Sequence, residues 1–219
     1  MSEVIISVRG EHQLRVAPEH ATVHLSISFD GPDRATAVEQ TLEAAGAVRD
    51  GIESRTQSGS VSAWTSQRLN VHADRPWNSD GRRLAPVYRA AVDLTVTFSD
   101  FSEMSIWATE VTVQDGVSIG FVDWRLTAQT EAEVEREVAT RAVAVAVARA
   151  RAYAEALGLS EVAPVEIADR GLISENMPAL PKVAMMRSPA MDAGSTPAME
   201  FQGEDITVSA AVEGRFRAS

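Results

Sequence analysis

The sequence contains no cysteine, which removes disulfide scaffolds, thiolate metal sites and cysteine nucleophiles together. It has one lysine, Lys182, among 20 basic side chains. The arginine excess, alongside abundant alanine, reads as the coding bias of a GC-rich genome, not as arginine selected for phosphate contacts. Positive charge is itself scarce: 31 acidic side chains set against the 20 basic ones give a formal charge of −11. A field of that sign repels a phosphate backbone, so nucleic acid is not an expected partner. Long apolar runs are also missing. The longest charge-free one in the second half is Ala142–Ala148, against the ~20 residues a bilayer span needs, so no membrane span is expected. The opening Met1–Gly10 carries an acid where a signal peptide has its basic region, followed by too short an apolar run. On that basis the chain as given reads as cytoplasmic. No glycine-rich phosphate loop or dinucleotide fingerprint occurs, and no cofactor is expected.

What is present suits a globular protein. The 219 residues are 45% hydrophobic and 23% charged, enough for one domain that buries about 70% of its unfolded surface. Ile6 and Val8, then Leu14 and Val16, flank Arg9-Gly10-Glu11, which predicts a strand broken by a bend or bulge. Ala21, Val23, Leu25, Ile27 and Phe29 alternate with polar residues, the period of a strand with one wet face. Asp33 offers a helix cap, and Ala35, Val38, Leu42, Ala45, Val48 and Ile52 follow at helical spacing. A long hairpin with arms Val61–Ala73 and Leu84–Phe98 is expected around Asp74–Arg83, whose Pro76 and Ser79-Asp80-Gly81 supply turn chemistry.

A shorter helix capped by Ser99 or Asp100 carries Phe101, Met104, Ala108 and Val111 to Asp115-Gly116. A strand over Val117–Leu126 should place Val117, Ile119 and Phe121 on one side. Thr130 with Glu133 then predicts a capping box for a long helix, Glu131–Leu157, closed by Gly158. Its apolar stripes are Val134/Val138/Ala142/Val145 and Val143/Val147/Ala150/Ala154. Strands at Val162–Ala168 and Ile206–Phe216 complete the pattern. The order β-β-α-β-β-α-β-α-β-β predicts an α+β fold, a largely antiparallel sheet packed against one long and two shorter helices. Between the last two strands, Arg170–Gly203 has neither period. It holds four prolines and five of the seven methionines, Met177, Met185, Met186, Met191 and Met199.

Ile6-Ser7-Val8-Arg9-Gly10-Glu11 followed by Val16-Ala17-Pro18-Glu19-His20-Ala21-Thr22-Val23 resembles the N-terminal signature of the SIMPL-domain family. Tyr88-Arg89-Ala90, the alanine-rich run Ala142–Gly158, the Met/Pro segment and the closing Gly203-Glu204-Asp205-Ile206-Thr207-Val208-Ser209-Ala210 fit the same order. The resemblance runs from about Val4 to Phe216, so residues 1–219 are taken as a single domain with a Met/Pro-rich loop at 170–203. It implies kinship with bacterial envelope or periplasmic proteins, some linked to oxidative stress, and with an animal signalling adaptor. An envelope location would follow if a leader had been trimmed. The family has no agreed catalytic motif, so it implies no catalytic residues.

Several constellations invite a chemical reading. Gly116-Val117-Ser118-Ile119-Gly120 has the spacing of a nucleophile elbow, but a helix precedes it and a strand follows, the reverse of what that turn needs. His72 and Asp74 lie two apart on a strand, with His12, His20 and His24 elsewhere. No third ligand falls at a recognisable spacing, so a wet sheet face is the plainer reading and no metal site is expected. His24, set among Thr22, Ser26 and Ser28, reads as solvated. Glu131, Glu133, Glu135 and Glu137 suit the start of a helix, where the macrodipole favours negative charge.

The hairpin is different. Arg68, Arg75, Arg82, Arg83 and Arg89 face only Asp74 and Asp80 as local acids, five minus two leaving +3, with Trp64 and Trp77 interleaved. Arginine with tryptophan is the chemistry of protein interfaces and of anion sites, set against plain solvated charge. The Met/Pro segment reads as a flexible loop, a docking arm or an oxidant sink. The expectation is a non-enzymatic protein, homo-oligomeric or bound to a protein partner, that uses the Arg/Trp hairpin and the Met/Pro arm. The alternative is a small-molecule binder or hydrolase with a pocket between the sheet and the alanine-rich helix.

Overall fold

A computed structural model describes residues 3–77, 79–173 and 203–219. The five methionines of the expected docking arm, Met177, Met185, Met186, Met191 and Met199, lie outside these residues. Among the described residues eleven elements follow the order β-β-α-β-β-β-α-β-α-β-β, an α+β arrangement of three helices and two antiparallel sheets. The chain divides into two compact units.

The first unit takes residues 3–17, 127–173 and 205–219. Strand β1 (Val4–Val16) pairs with β8 (Ile206–Ala218), which pairs in turn with β7 (Val162–Asp169). The β1–β8 register runs one to one from Val4↔Ala218 to Val16↔Ile206 without a shift. The bend expected at Arg9-Gly10-Glu11 is therefore absent, and Gly10 has another cause. Helix α3 (Ala128–Ala156) lies so close that a Cβ on Gly10 would sit 2.0 Å from the Ala142 carbonyl oxygen. The helix makes this approach with Val138, Ala142, Ala146, Ala150 and Ala154, a ridge of buried residues at four-residue spacing. Ala146 belongs to that ridge although it stood in neither expected stripe. The cap also differs from expectation: Thr127, not Thr130, accepts from the Thr130 amide, so α3 starts three residues earlier than Glu131. Gly158, at φ 75°, closes the helix as its position after Leu157 predicts.

The second unit is built from residues 18–126 with 203–204. Its sheet has β2 (His20–Gly31) between β5 (Val87–Phe98) and β6 (Val117–Arg125), with β3 (Val61–Ser66) and β4 (Asn70–Asp74) both on the far edge of β5. The single hairpin arm expected over Val61–Ala73 is thus two strands. Ser66 pairs with Leu94 and Asn70 with Ala91, so four steps along one chain oppose three along the other. The extra residue breaks the ladder.

Helices α1 (Arg34–Ser58) and α2 (Phe101–Thr112) cover one face of this sheet. Asp33 caps α1 through the Thr36 amide, and Asp100 caps α2 through Ser102 and Glu103. The buried stripe of α1 is Ala37, Thr41, Ala45, Val48 and Ile52, whereas Leu42 is exposed. Thr41 occupies the stripe because its hydroxyl donates to the carbonyls of Ala37 and Ala90 and so is buried without an orphaned donor. Trp107 of α2, unclaimed by the expected stripe, is 1% exposed and packs on Phe98 with ring centroids 5.2 Å apart.

Candidate functional site

Two features of the second unit gather chemistry-bearing side chains: the tip of the β4–β5 hairpin and a hollow on the sheet face opposite the helices. The tip is held by an antiparallel β-bridge between Trp77 and Arg83 and by the Leu84 amide donating to the Pro76 carbonyl at 2.9 Å. Gly81 takes φ 72°, the left-handed turn that glycine adopts freely. The Arg83 guanidinium lies 5.0 Å from the Trp77 ring centroid, a cation–π contact, and the indole remains 62% exposed. Arg75 and Arg82 are exposed on the same tip, and Arg68 is exposed between β3 and β4.

Arg89 stands apart from this group. It pairs with Asp30 of β2 through two hydrogen bonds, Nε to Oδ1 at 2.7 Å and Nη2 to Oδ2 at 3.0 Å. That bidentate bond lowers the Asp30 carboxyl below its ordinary value and raises Arg89. Asp30 was invisible as a partner because only the β2–β5 register brings it opposite Arg89. With it counted, the five arginines face three acids, five minus three leaving +2 rather than +3. His72 and Asp74 do share a side, 3.5 Å apart, but among the described residues no group of three candidate ligands surrounds a metal position.

The hollow was not expected, and it depends on one irregularity. Between His24 and Leu25 the β2–β6 register slips: His24 pairs with Phe121 but Leu25 with Ile119, leaving Gly120 as the extra residue. This bulge reverses the alternation of β6. Phe121, expected beside Val117 and Ile119, instead crosses to the open face and stacks on His24, ring centroids 4.2 Å apart and planes 16° from parallel. His24 Nε2 lies 3.0 Å from Asp123 Oδ2, and its Nδ1 lies 3.5 Å from the Thr95 hydroxyl. The histidine that read as solvated is therefore held on three sides. Arg125 approaches the same Asp123 oxygen at 3.6 Å. Around the His24–Phe121 pair, Gln67, Asp93, Thr95 and Ser118 frame a depression of about 280 Å³.

Ser118 lines that depression from near the start of β6, and its hydroxyl donates to the Ser26 carbonyl at 3.2 Å. A serine in a straight ladder is not on the strained strand-to-helix turn that exposes a nucleophile. Both flanking glycines have structural causes. Gly116, at φ 77°, lies under Phe29, whose ring a Cβ would meet at 2.3 Å, and Gly120 forms the bulge.

In the first unit, the middle of the sheet–helix interface has no room for a ligand, because Gly10, Ala142 and Ala146 are in contact there. A groove of about 760 Å³ opens at the end of α3, between Ala154, Glu155 and Val162. Two of the four glutamates at the start of α3 are engaged in helix-surface bonds, Glu133 with Gln129 and Glu137 with Arg141. Among the described residues, no helix is long and apolar enough to cross a membrane.

The sequence pattern of the SIMPL family, described as a protein of unknown function (DUF541), matches residues 6–216, nearly the whole chain. No curated protein matches it.

Proposed function

Starting from the fact that the chain belongs to the SIMPL family, whose function is unknown, we propose that it is a non-enzymatic, self-assembling protein whose contact surface is the β4–β5 hairpin tip. One observation carries this reading: Trp77 is 62% exposed at the end of a hairpin, with Arg83 laid against its ring. A large aromatic left in water is unfavourable by its apolar area, and tryptophan with arginine is the pair most enriched where proteins bind each other. The cation–π contact holds both side chains in place before binding, which reduces the ordering cost of association. The body of the protein favours the same reading. With +2 on the hairpin cluster, the rest of the chain carries −13, an oppositely charged surface on every other copy.

Light scattering on the untagged protein across a dilution series tests this. The expected result is a mass that is a multiple of 23.5 kDa, reduced by Trp77→Ala and by the double change Arg75→Glu with Arg83→Glu. A monomer at every concentration, or an assembly indifferent to all three substitutions, would overturn it.

A further inference from the structure

We propose that the hollow on the open sheet face is the acceptor for this hairpin: an arginine from the tip of one copy docks against Phe121 of a second copy, with Asp93 as its counter-ion. The inference rests on the self-assembly reading and adds the surface that receives the tip.

The chemistry of the hollow selects the occupant. Its aromatic wall is Phe121, 53% exposed, one face stacked on His24 and so fixed in orientation. Asp93 projects from β5 at the rim and is exposed, and among the described residues no hydrogen bond or ion pair engages its carboxylate. Asp123, by contrast, is committed to His24 and Arg125. An unpaired carboxylate beside an ordered aromatic face suits a flat organic cation, which stacks on the ring and donates to the carboxylate. Guanidinium does both, and it is more weakly hydrated than an ammonium ion. The hydroxyls of Thr95 and Ser118 and the Gln67 amide supply further polar contacts at the rim.

Geometry makes the contact intermolecular. Hollow and tip are joined by β5, which runs straight from Val87 to Asp93, six residues or ~20 Å of extended strand. The β4–β5 ladder from Asn70↔Ala91 to Asp74↔Val87 holds the hairpin extended. A copy's own tip therefore points away from its own hollow. Because the tip and the hollow are different surfaces, each copy offers one of each, and the contact either closes reciprocally as a two-fold dimer or repeats head-to-tail as a ring or filament.

Complementary variants distinguish this from self-assembly by another route. Asp93→Arg and Phe121→Ser spoil only the acceptor, and Arg75→Glu with Arg83→Glu spoils only the tip. Each is expected to raise the concentration at which assembly is half complete by about tenfold or more, the ordinary effect of losing an interface hot spot. All four positions are exposed, and circular dichroism matching the parent confirms folding. The Phe121 change serves as the second acceptor probe should Asp93→Arg fail to fold.

An equimolar mixture of the Asp93→Arg chain and the doubly changed hairpin chain retains one intact tip and one intact hollow. It should give a 1:1 pair of twice 23.5 kDa and nothing larger. Acceptor variants that assemble like the parent overturn the hollow's role, while hairpin variants that disperse in the same experiment leave the self-assembly reading standing. A mixture that rebuilds particles larger than this pair, or one that stays wholly monomeric, overturns the docking of tip into hollow. A parent protein that is itself monomeric removes both readings.

Discussion

The two units bury a helical layer on an antiparallel sheet with opposite choices of side chain. In the first, the ridge of α3 is Val138 followed by four alanines, the alanines set against Ile6, Val8, Val212 and Phe216, and Gly10 lies against Ala142 and Ala146. In the second, the largest buried residues are Trp107, Phe98, Ile27, Ile52, Leu94 and Met104, with Trp107 of α2 packed on Phe98 of β5. Small residues let backbones meet; large ones keep them apart and fill the gap. The same layered architecture thus fails in two ways, by overfilling in the first unit and by emptying in the second.

The largest expected effect is in the second unit. Trp107→Ala should lower unfolding free energy by about 3–5 kcal/mol, since a buried indole is removed from a site that cannot collapse. Urea denaturation followed by a probe in each unit would measure it, and a loss under 1 kcal/mol would contradict the cavity argument. Next is Gly10→Val, which forces a side chain into the Ala142 carbonyl. Overpacking there should cost about 1–3 kcal/mol, with hydrogen exchange quickening in α3 ahead of α1. Equal quickening of both helices would mean that the overfilled and emptied cores do not respond separately. Thr127→Ala removes the side-chain cap of α3 and should cost about 1 kcal/mol, more than Thr130→Val, which keeps the capped amide and loses only the hydroxyl that accepts from Thr127.

The smallest effect is a pH dependence confined to the second unit. Bonds from Thr36 lower the Asp33 carboxyl, and the bond from Arg89 lowers Asp30. A carboxylate with a depressed folded-state value adds stability that is complete above the ordinary carboxylate range and disappears as pH falls through the depressed value. Asp33→Asn and Asp30→Asn should therefore lower stability slightly at neutral pH and flatten the acid limb of the stability curve. An unaltered acid limb would count against both assignments.

These contrasts also show what a sequence discloses. The alternation of β2, the cap at Asp33 and the closing Gly158 rest on neighbours within a few residues, and all were legible. The candidate acceptor was not, because its parts are joined only by pairing: His24 and Asp123 are 99 positions apart. Its key step, the bulge at Gly120, is marked only by a change of phase, since Val117 and Ile119 are followed on the core side by Val122 and Trp124, and continuing the first alternation to Phe121 overlooks it. Gly10 was misread for a related reason. A glycine required by a helix 132 positions away, at Ala142, looks locally the same as one required by a bend. The tip of the hairpin lies between these cases. Its turn residues and its Arg/Trp content were evident, whereas the loss of Arg89 to Asp30 needed the register of β2 on β5.

The pairing of β1 with β8 has a consequence for how the chain is made. All the strands and helices of the second unit leave the ribosome within residues 18–126, so it can fold while synthesis continues. The first unit cannot. Its sheet order is β1-β8-β7, so the middle strand is the last of the eleven elements to emerge, and both outer strands wait for it. Val4 meets Ala218 across 214 positions, a closure that high contact order makes slow even where its entropic cost grows only logarithmically. Until β8 arrives, β1 is an early strand with both edges open, accompanied by a chain whose other half has already folded.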